Sequence, residues 1–93
     1  MDDRLELFLS ELKERCSDNN SSEFEYFWEM WGVLWMPWFI EVNGESMYFT
    51  ANDISQNDLD RLCKDGFIEL LKVYDQNEMK DEFDRKRYRL IEK

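Results

Sequence analysis

Ten aromatic side chains fall within the 26 residues from Phe24 to Phe49, and this cluster limits what the chain can fold into. So much apolar surface is typical of a folded protein and argues against a chain that stays disordered, even at a formal net charge of −10. A chain of 93 residues has the length of one domain. We therefore expect residues 1–93 to form a single small domain around one core.

Two segments carry apolar residues at helical spacing. Leu5 and Leu12 belong to a stripe that predicts a first helix, which ends in the polar stretch after Cys16. Aromatic residues that step by four, three and four positions predict a second, largely buried helix over residues 23–35. We expect Glu25 and Glu29 to lie one turn apart at its solvent-exposed edge. The aromatic stripe consists of Phe24, Trp28, Trp31 and Trp35.

The pair Asn43-Gly44 predicts a β-hairpin with a two-residue type I′ turn, because both residue types tolerate positive φ. This register places one set of side chains on the core face and leaves Phe39 and Tyr48 on the other face. The expected cross-strand pairs are Val42 with Glu45, Ile40 with Met47 and Trp38 with Phe49.

Ser55 and Asp58 form a capping-box pattern, and Gly66 has the position of a residue that ends a helix. A strand over Phe67–Tyr74, a polar loop and a strand over Phe83–Ile91 are expected to follow. The predicted order is α-α-β-β-α-β-β, and the predicted fold class is α+β.

The C-terminal half of the chain resembles a winged-helix domain. The resemblance rests on Leu59-x-x-Leu62-x-x-x-Gly66-Phe67-Ile68, a strand and a polar loop, and then Arg87-Tyr88-Arg89-Leu90 on a returning strand. It implies a winged-helix-like fold in which the helix lies in the DNA major groove and the hairpin, or wing, contacts phosphate. The matching helix carries more acids than bases, so the resemblance favours the fold over a DNA-binding role.

The charges are distributed unevenly along the chain. No Lys or Arg occurs between Cys16 and Asp60, whereas bases dominate from Arg85 to Lys93. An acidic body attracts a basic protein surface and repels nucleic acid. We therefore predict a non-enzymatic acidic binding protein, in the form of a viral or other mobile-element-encoded modulator or DNA mimic that targets a basic partner. The predicted partner-binding residues are Glu25, Glu29, Phe39, Glu41, Glu45, Tyr48, Asp53, Asp58 and Asp60.

A winged-helix transcription regulator is the alternative hypothesis, with the helix in the DNA groove and the basic C-terminal strand on phosphate. Internal pairing of that strand with residues such as Glu69 is an equally good interpretation of its charges. The residues of this alternative are Asn57, Arg61, Lys64, Arg85, Lys86, Arg87 and Arg89.

Motifs of catalysis and of metal binding are missing from the sequence. It contains no His, no Gly-rich phosphate loop and no GxSxG or CxxC motif, and the acidic loop Asp75–Glu82 lacks the ligand order of an EF-hand. We therefore expect no enzymatic activity, no cofactor and no metal. Without a signal peptide or membrane span, a cytoplasmic location with reduced Cys16 and Cys63 is expected. The choice between a monomer and a homodimer is left open.

Overall fold

The computed structural model describes residues 3–31, 34–35, 38–51, 54–78 and 82–91, which form two α-helices and an antiparallel β-sheet. The fold is therefore α+β, as predicted. The helices are α1 (Asp3–Asp18) and α2 (Gln56–Lys64), and a 3₁₀ turn covers Gln76–Glu78. The strands are β1 (Glu23–Trp31), β2 (Leu34–Trp35), β3 (Phe39–Val42), β4 (Glu45–Met47), β5 (Ile68–Val73) and β6 (Glu82–Leu90).

The sheet is organised around β1, which pairs with β3 on one side and with β6 on the other. The strand order is β4-β3-β1-β6-β5, and neighbouring strands run antiparallel. β2 pairs with the end of β1, where Met30 lies opposite Trp35. The long strand β1 thus joins the β3–β4 and β5–β6 hairpins into one sheet.

Residues 23–31 form β1, so the prediction of a second helix was wrong. The segment also has the polar–apolar alternation of a strand, because Glu23 and Glu25 alternate with the aromatic residues Phe24 and Tyr26. Aromatic residues suit the pleated surface of a strand, and pairing with strands on both sides satisfies the backbone of β1. The observed order is consequently α-β-β-β-β-α-β-β in place of α-α-β-β-α-β-β.

The predicted hairpin is confirmed at two of its three expected cross-strand pairs, and the third, Trp38 with Phe49, lies outside the paired residues. Ile40 lies opposite Met47 and Val42 lies opposite Glu45. Both turn residues have positive φ, with 54° at Asn43 and 79° at Gly44. The local turn chemistry therefore determined the register of β3 and β4.

The predicted capping box at the start of α2 is also confirmed. The Ser55 side chain accepts a hydrogen bond from the Asp58 backbone, and Asp58 Oδ2 accepts one from the Ser55 backbone N–H at 2.9 Å. Gly66, with a φ of 82°, follows the end of the helix and leads into β5. The order helix, glycine, strand and returning strand is thus present in the C-terminal half.

The core lies between one face of the sheet and the two helices. Tyr26 is fully buried there, and its hydroxyl donates a hydrogen bond to the Ile54 carbonyl at 2.7 Å. Phe24 stacks on Tyr88 with ring centroids 5.4 Å apart. Within the described ranges, neither helix is long and apolar enough to cross a membrane. The buried core includes Leu5, Phe8, Leu12, Phe24, Tyr26, Ile40, Val42, Ile54, Leu59, Leu62, Ile68 and Tyr88.

Candidate functional site

The face of the sheet opposite the helices carries a set of charged side chains that we call the glutamate–arginine cluster. Side chains alternate along each strand, so the residues that flank the buried ones on β1, β3 and β6 point to this outer face. The cluster therefore spans three adjacent strands and the end of β5. Its members are Glu23, Glu25, Glu41, Tyr74, Arg85 and Arg87.

Arg85 and Arg87 each bridge two glutamates in this cluster. Arg85 Nη2 contacts Glu25 and lies 2.6 Å from Glu41 Oε1. Arg87 Nε lies 2.5 Å from Glu23 Oε1, and its Nη1 lies 2.9 Å from Glu25 Oε2. Charge-assisted hydrogen bonds of this kind are stronger than neutral ones, so the cluster restrains its own side chains.

Glu25 is the centre of the cluster, with only 8% of its surface exposed. Burial by itself raises the pKa of Glu25, but hydrogen bonds from Tyr74, Arg85 and Arg87 outweigh it and leave the pKa below its ordinary value. The pKa of Tyr74 is raised by burial and by its hydrogen bond to Glu25. Glu25 is therefore held as a carboxylate by internal partners.

Several predicted site residues belong to this outer face. Glu25 is buried in the cluster instead of lying at an exposed helix edge, and Glu41 is bound by Arg85. Phe39 is half-buried and stacks on Phe27, with ring centroids 5.5 Å apart. Internal contacts therefore occupy much of what the sequence suggested as a partner-binding surface.

Asp58 and Asp60 lie on α2 and differ in their contacts. Asp58 belongs to the capping box and also binds the guanidinium of Arg4, with Oδ1 and Nη2 3.0 Å apart. Burial raises the pKa of Asp58, but the hydrogen bonds from Arg4 and Ser55 lower it by more, so the pKa lies below its ordinary value. Asp60 is exposed and accepts a hydrogen bond from Gln56 Nε2 at 2.9 Å.

Two predicted site residues are only partly covered by the structure. The backbone of Glu29 lies in β1 opposite Glu82, but its side chain is outside what the structure describes. Asp53 falls outside the described residues altogether.

The residues of the DNA-binding alternative separate into two groups. Asn57, Arg61 and Lys64 are exposed, and their spacing places them on one side of α2. The strand residues are engaged within the chain. Arg85 and Arg87 bind the cluster glutamates, Arg89 Nη2 lies 2.5 Å from Glu69 Oε1, and Lys86 Nζ lies 3.0 Å from Gln56 Oε1.

A second surface is formed where the C-terminal end of α1 meets the β3–β4 hairpin, and we call it the acidic surface. Two hydrogen bonds attach the hairpin to the end of α1: Asn43 Nδ2 donates to the Asn19 carbonyl at 2.6 Å, and Arg15 Nε donates to the Tyr48 carbonyl at 3.0 Å. The carboxylates of this surface are exposed and have no ion-pair partner among the described residues. The acidic surface comprises Asp18, Glu45 and Tyr48.

Tyr48 and Asp18 are the most informative residues of the acidic surface. The Tyr48 side chain is 90% exposed, which is unusual for a large aromatic residue. Asp18 is the last residue of α1, where a negative charge opposes the helix dipole. Neither side chain contributes to folding in an evident way, although the Tyr48 carbonyl accepts the hydrogen bond from Arg15. Glu45 and Tyr48 are among the site residues predicted from the sequence, whereas Asp18 is not, although it belongs to the stretch without bases between Cys16 and Asp60.

The described residues contain no group of three or more Asp, Glu, Cys or His side chains that could hold a metal ion. A shallow cleft of about 230 Å³ is lined by Glu23, Glu25, Glu41 and Arg87. The lowered pKa of Glu25 disfavours a role as a general acid near neutral pH.

Comparison of the chain with models of known protein families, with curated proteins and with solved structures finds no match.

Proposed function

We propose that this protein is a non-enzymatic binding protein that recognises a basic surface of a partner protein through its acidic surface. The observation that supports this proposal is the 90% exposed Tyr48 on a hairpin that also carries Glu45 and is hydrogen-bonded to the end of α1, where Asp18 lies. Aromatic residues dominate the binding energy of many interfaces, and surrounding charges of one sign increase the rate of encounter with an oppositely charged partner.

The charge balance of the two faces supports the same choice. Arginines of β6 offset the glutamates on the outer face of the sheet. The negative charge of Asp18 and Glu45 is not offset by an ion pair among the described residues. A cytoplasmic modulator of a nucleic-acid-handling protein, which presents carboxylates where that protein expects phosphates, is the concrete form of the proposal.

Affinity capture with three immobilised variants tests the proposal. Basic proteins retained by the wild-type chain from a cytoplasmic extract should be lost with Tyr48→Ala and with Asp18→Lys. Asp18→Lys is the sharper variant, because a base at the end of α1 favours the helix dipole. Its capture should fall while its stability to urea stays equal or rises.

The matched control is Asp60→Lys, which makes the same change in net charge on α2, away from the acidic surface. Capture that falls equally with Asp60→Lys and with Asp18→Lys would mean that only total charge matters, and it would overturn the assignment of the acidic surface. Capture that is unaffected by Tyr48→Ala and Asp18→Lys would overturn it as well.

A winged-helix DNA-binding protein is the second candidate, and the exposed side of α2 with Asn57, Arg61 and Lys64 favours it. In this case phosphates compete with glutamates for the arginines of β6. Fluorescence anisotropy with a labelled duplex at low salt tests it, because Arg61→Glu with Lys64→Glu should then abolish binding. A wild-type chain that binds no duplex would remove this candidate.

A further inference from the structure

β5 lies at one edge of the sheet and presents an unusual set of side chains. It pairs with β6 on one side, and among the described residues no strand pairs with its other side. Leu70, Leu71 and Val73 are 45%, 41% and 56% exposed. Edge strands of monomeric proteins are usually short, charged, bulged or covered. β5 is bulged and carries Glu69 and Lys72, but its six residues include three exposed apolar side chains, which make it a site for pairing with another strand.

The opposite edge of the sheet shows the usual protection. β4 has only three residues, and Glu45 and Ser46 are exposed there. The two edges therefore differ in length and in exposed apolar surface, and of the two β5 is the better site for pairing with a further strand.

A β-bulge at Leu71 changes which side chains of β5 share a face. Leu70 lies opposite Tyr88 and Lys72 lies opposite Arg87, so Leu71 is an extra residue in the strand. In a regular strand, residues three apart point to opposite faces. Here Glu69, which binds Arg89, and Lys72 share the outer face of the sheet, because the bulge lies between them.

We propose that β5 pairs antiparallel with β5 of a second copy of this chain, about a two-fold axis between Leu70 and Leu71. In this register Glu69 of each copy lies opposite Lys72 of the other copy, on the same face. Leu70 then lies opposite Leu71, and Ile68 lies opposite Val73. Such a contact is self-complementary in charge and in apolar surface, as a two-fold interface requires.

The charge of the chain favours a second copy at this place. Two copies with a net charge of −10 each repel one another over most of their surfaces. β5 carries one acid and one base, and each is paired within its own copy, Glu69 with Arg89 and Lys72 with Glu78. The repulsion is therefore smaller at this edge than at the acidic surface, whose carboxylates have no ion-pair partner among the described residues. The acidic surface adjoins the β4 edge of the sheet, so a dimer through β5 leaves the acidic surface of each copy accessible.

Sedimentation velocity from micromolar to near-millimolar concentration tests the proposal. The wild-type chain should form a species of twice the 11.5 kDa chain mass. Glu69→Lys alone and Lys72→Glu alone place like charges opposite each other across the axis, and each should raise the dimer dissociation constant by about tenfold or more. The two variants should form a heterodimer when mixed, because each then meets its opposite charge.

Glu45→Lys is the control, since it makes the same charge change as Glu69→Lys on the β4 edge. It should leave the dimer intact, and circular dichroism should show all the variants folded. If the wild-type chain is monomeric at every concentration, the proposal is overturned, and a strand of another protein becomes the occupant to test at this edge. A dimer that is insensitive to both β5 substitutions, or variants that fail to associate when mixed, would also overturn it.

Discussion

Arg85 on β6 reaches across β1 to Glu41 on β3, with Nη2 2.6 Å from Oε1, so one guanidinium joins three adjacent strands. The same group contacts Glu25 on β1 and lies 4.4 Å from the centroid of the Phe27 ring. Because the Arg85 and Glu25 side chains are only 16% and 11% exposed, water screens this interaction less than it screens a surface ion pair. The outer face of the sheet is consequently held together by charge as well as by backbone pairing.

Replacement of Arg85 by Met should lower the free energy of unfolding by about 3 kcal/mol, because it leaves two carboxylates without a shared partner in a largely buried place. Urea denaturation followed by tryptophan fluorescence measures the change. Arg89→Met is the control, since Arg89 and Glu69 are about half exposed and such pairs contribute at most about 1 kcal/mol. Equal effects of the two substitutions would contradict the bridging role of Arg85.

The free energy of unfolding should depend on pH through the buried carboxyl group of Glu11. Glu11 is buried on α1, and its carboxylate accepts hydrogen bonds from the backbone N–H groups of Thr50 and Ala51 at 3.0–3.1 Å. Burial raises the pKa of Glu11, but these hydrogen bonds and nearby Arg15 together lower it by more, so the pKa lies below its ordinary value. The stabilisation by Glu11 is therefore present above about pH 4, the unfolded-state pKa of Glu, and is lost as pH falls through the folded-state pKa.

The expected result is a free energy of unfolding that decreases from pH 5 towards pH 3 in the wild-type chain. Glu11→Gln should be less stable at pH 7 and should show a smaller decrease, because it cannot gain a proton at this position. Glu14→Gln is the control on the exposed side of the same helix. A Glu11→Gln variant with the wild-type pH dependence would assign the acid sensitivity to other carboxylates, among them Glu25 and Asp58.

Local chemistry made part of the fold predictable from the sequence. Asn43-Gly44 determined a turn, a register and a core face without help from the rest of the chain. Ser55 and Asp58 determined the start of α2 in the same way. In each case the residues that carry the information contact one another within a few positions along the chain.

The character of β1 was not predictable in this way, because its aromatic residues satisfy two periods at once. Phe24 and Trp28 match a helical repeat, whereas Phe24, Tyr26 and Trp28 match the alternation of a strand. Pairing with β3 and β6, which lie far away in sequence, decides between the two. The glutamate–arginine cluster depends on the same pairing, since Glu25 and Arg85 are 60 positions apart.

Gly44→Ala should lower the free energy of unfolding by about 1 kcal/mol for a conformational reason alone. The φ of Gly44 is 79°, and a Cβ atom placed there meets nothing within 4 Å. The cost therefore reflects the left-handed backbone and no steric clash. Thermal or urea denaturation measures it, with Ser46→Ala on the same hairpin as a control that should change little. A Gly44→Ala variant with the stability of the wild-type chain would show that the turn relaxes to another conformation.

Tyr26→Phe should destabilise the protein by about 1–2 kcal/mol, because it removes the hydroxyl that donates to the Ile54 carbonyl at 2.7 Å. Tyr26 and Ile54 are fully buried, so water does not replace the lost hydrogen bond. The Ile54 carbonyl directly precedes the N-cap Ser55, and hydrogen exchange should therefore accelerate at the start of α2 more than in the β3–β4 hairpin. Tyr48→Phe removes the same atom from a side chain that is 90% exposed, and it should leave stability unchanged. If the two substitutions had the same effect on unfolding, the Tyr26 hydroxyl would not be the link between β1 and α2.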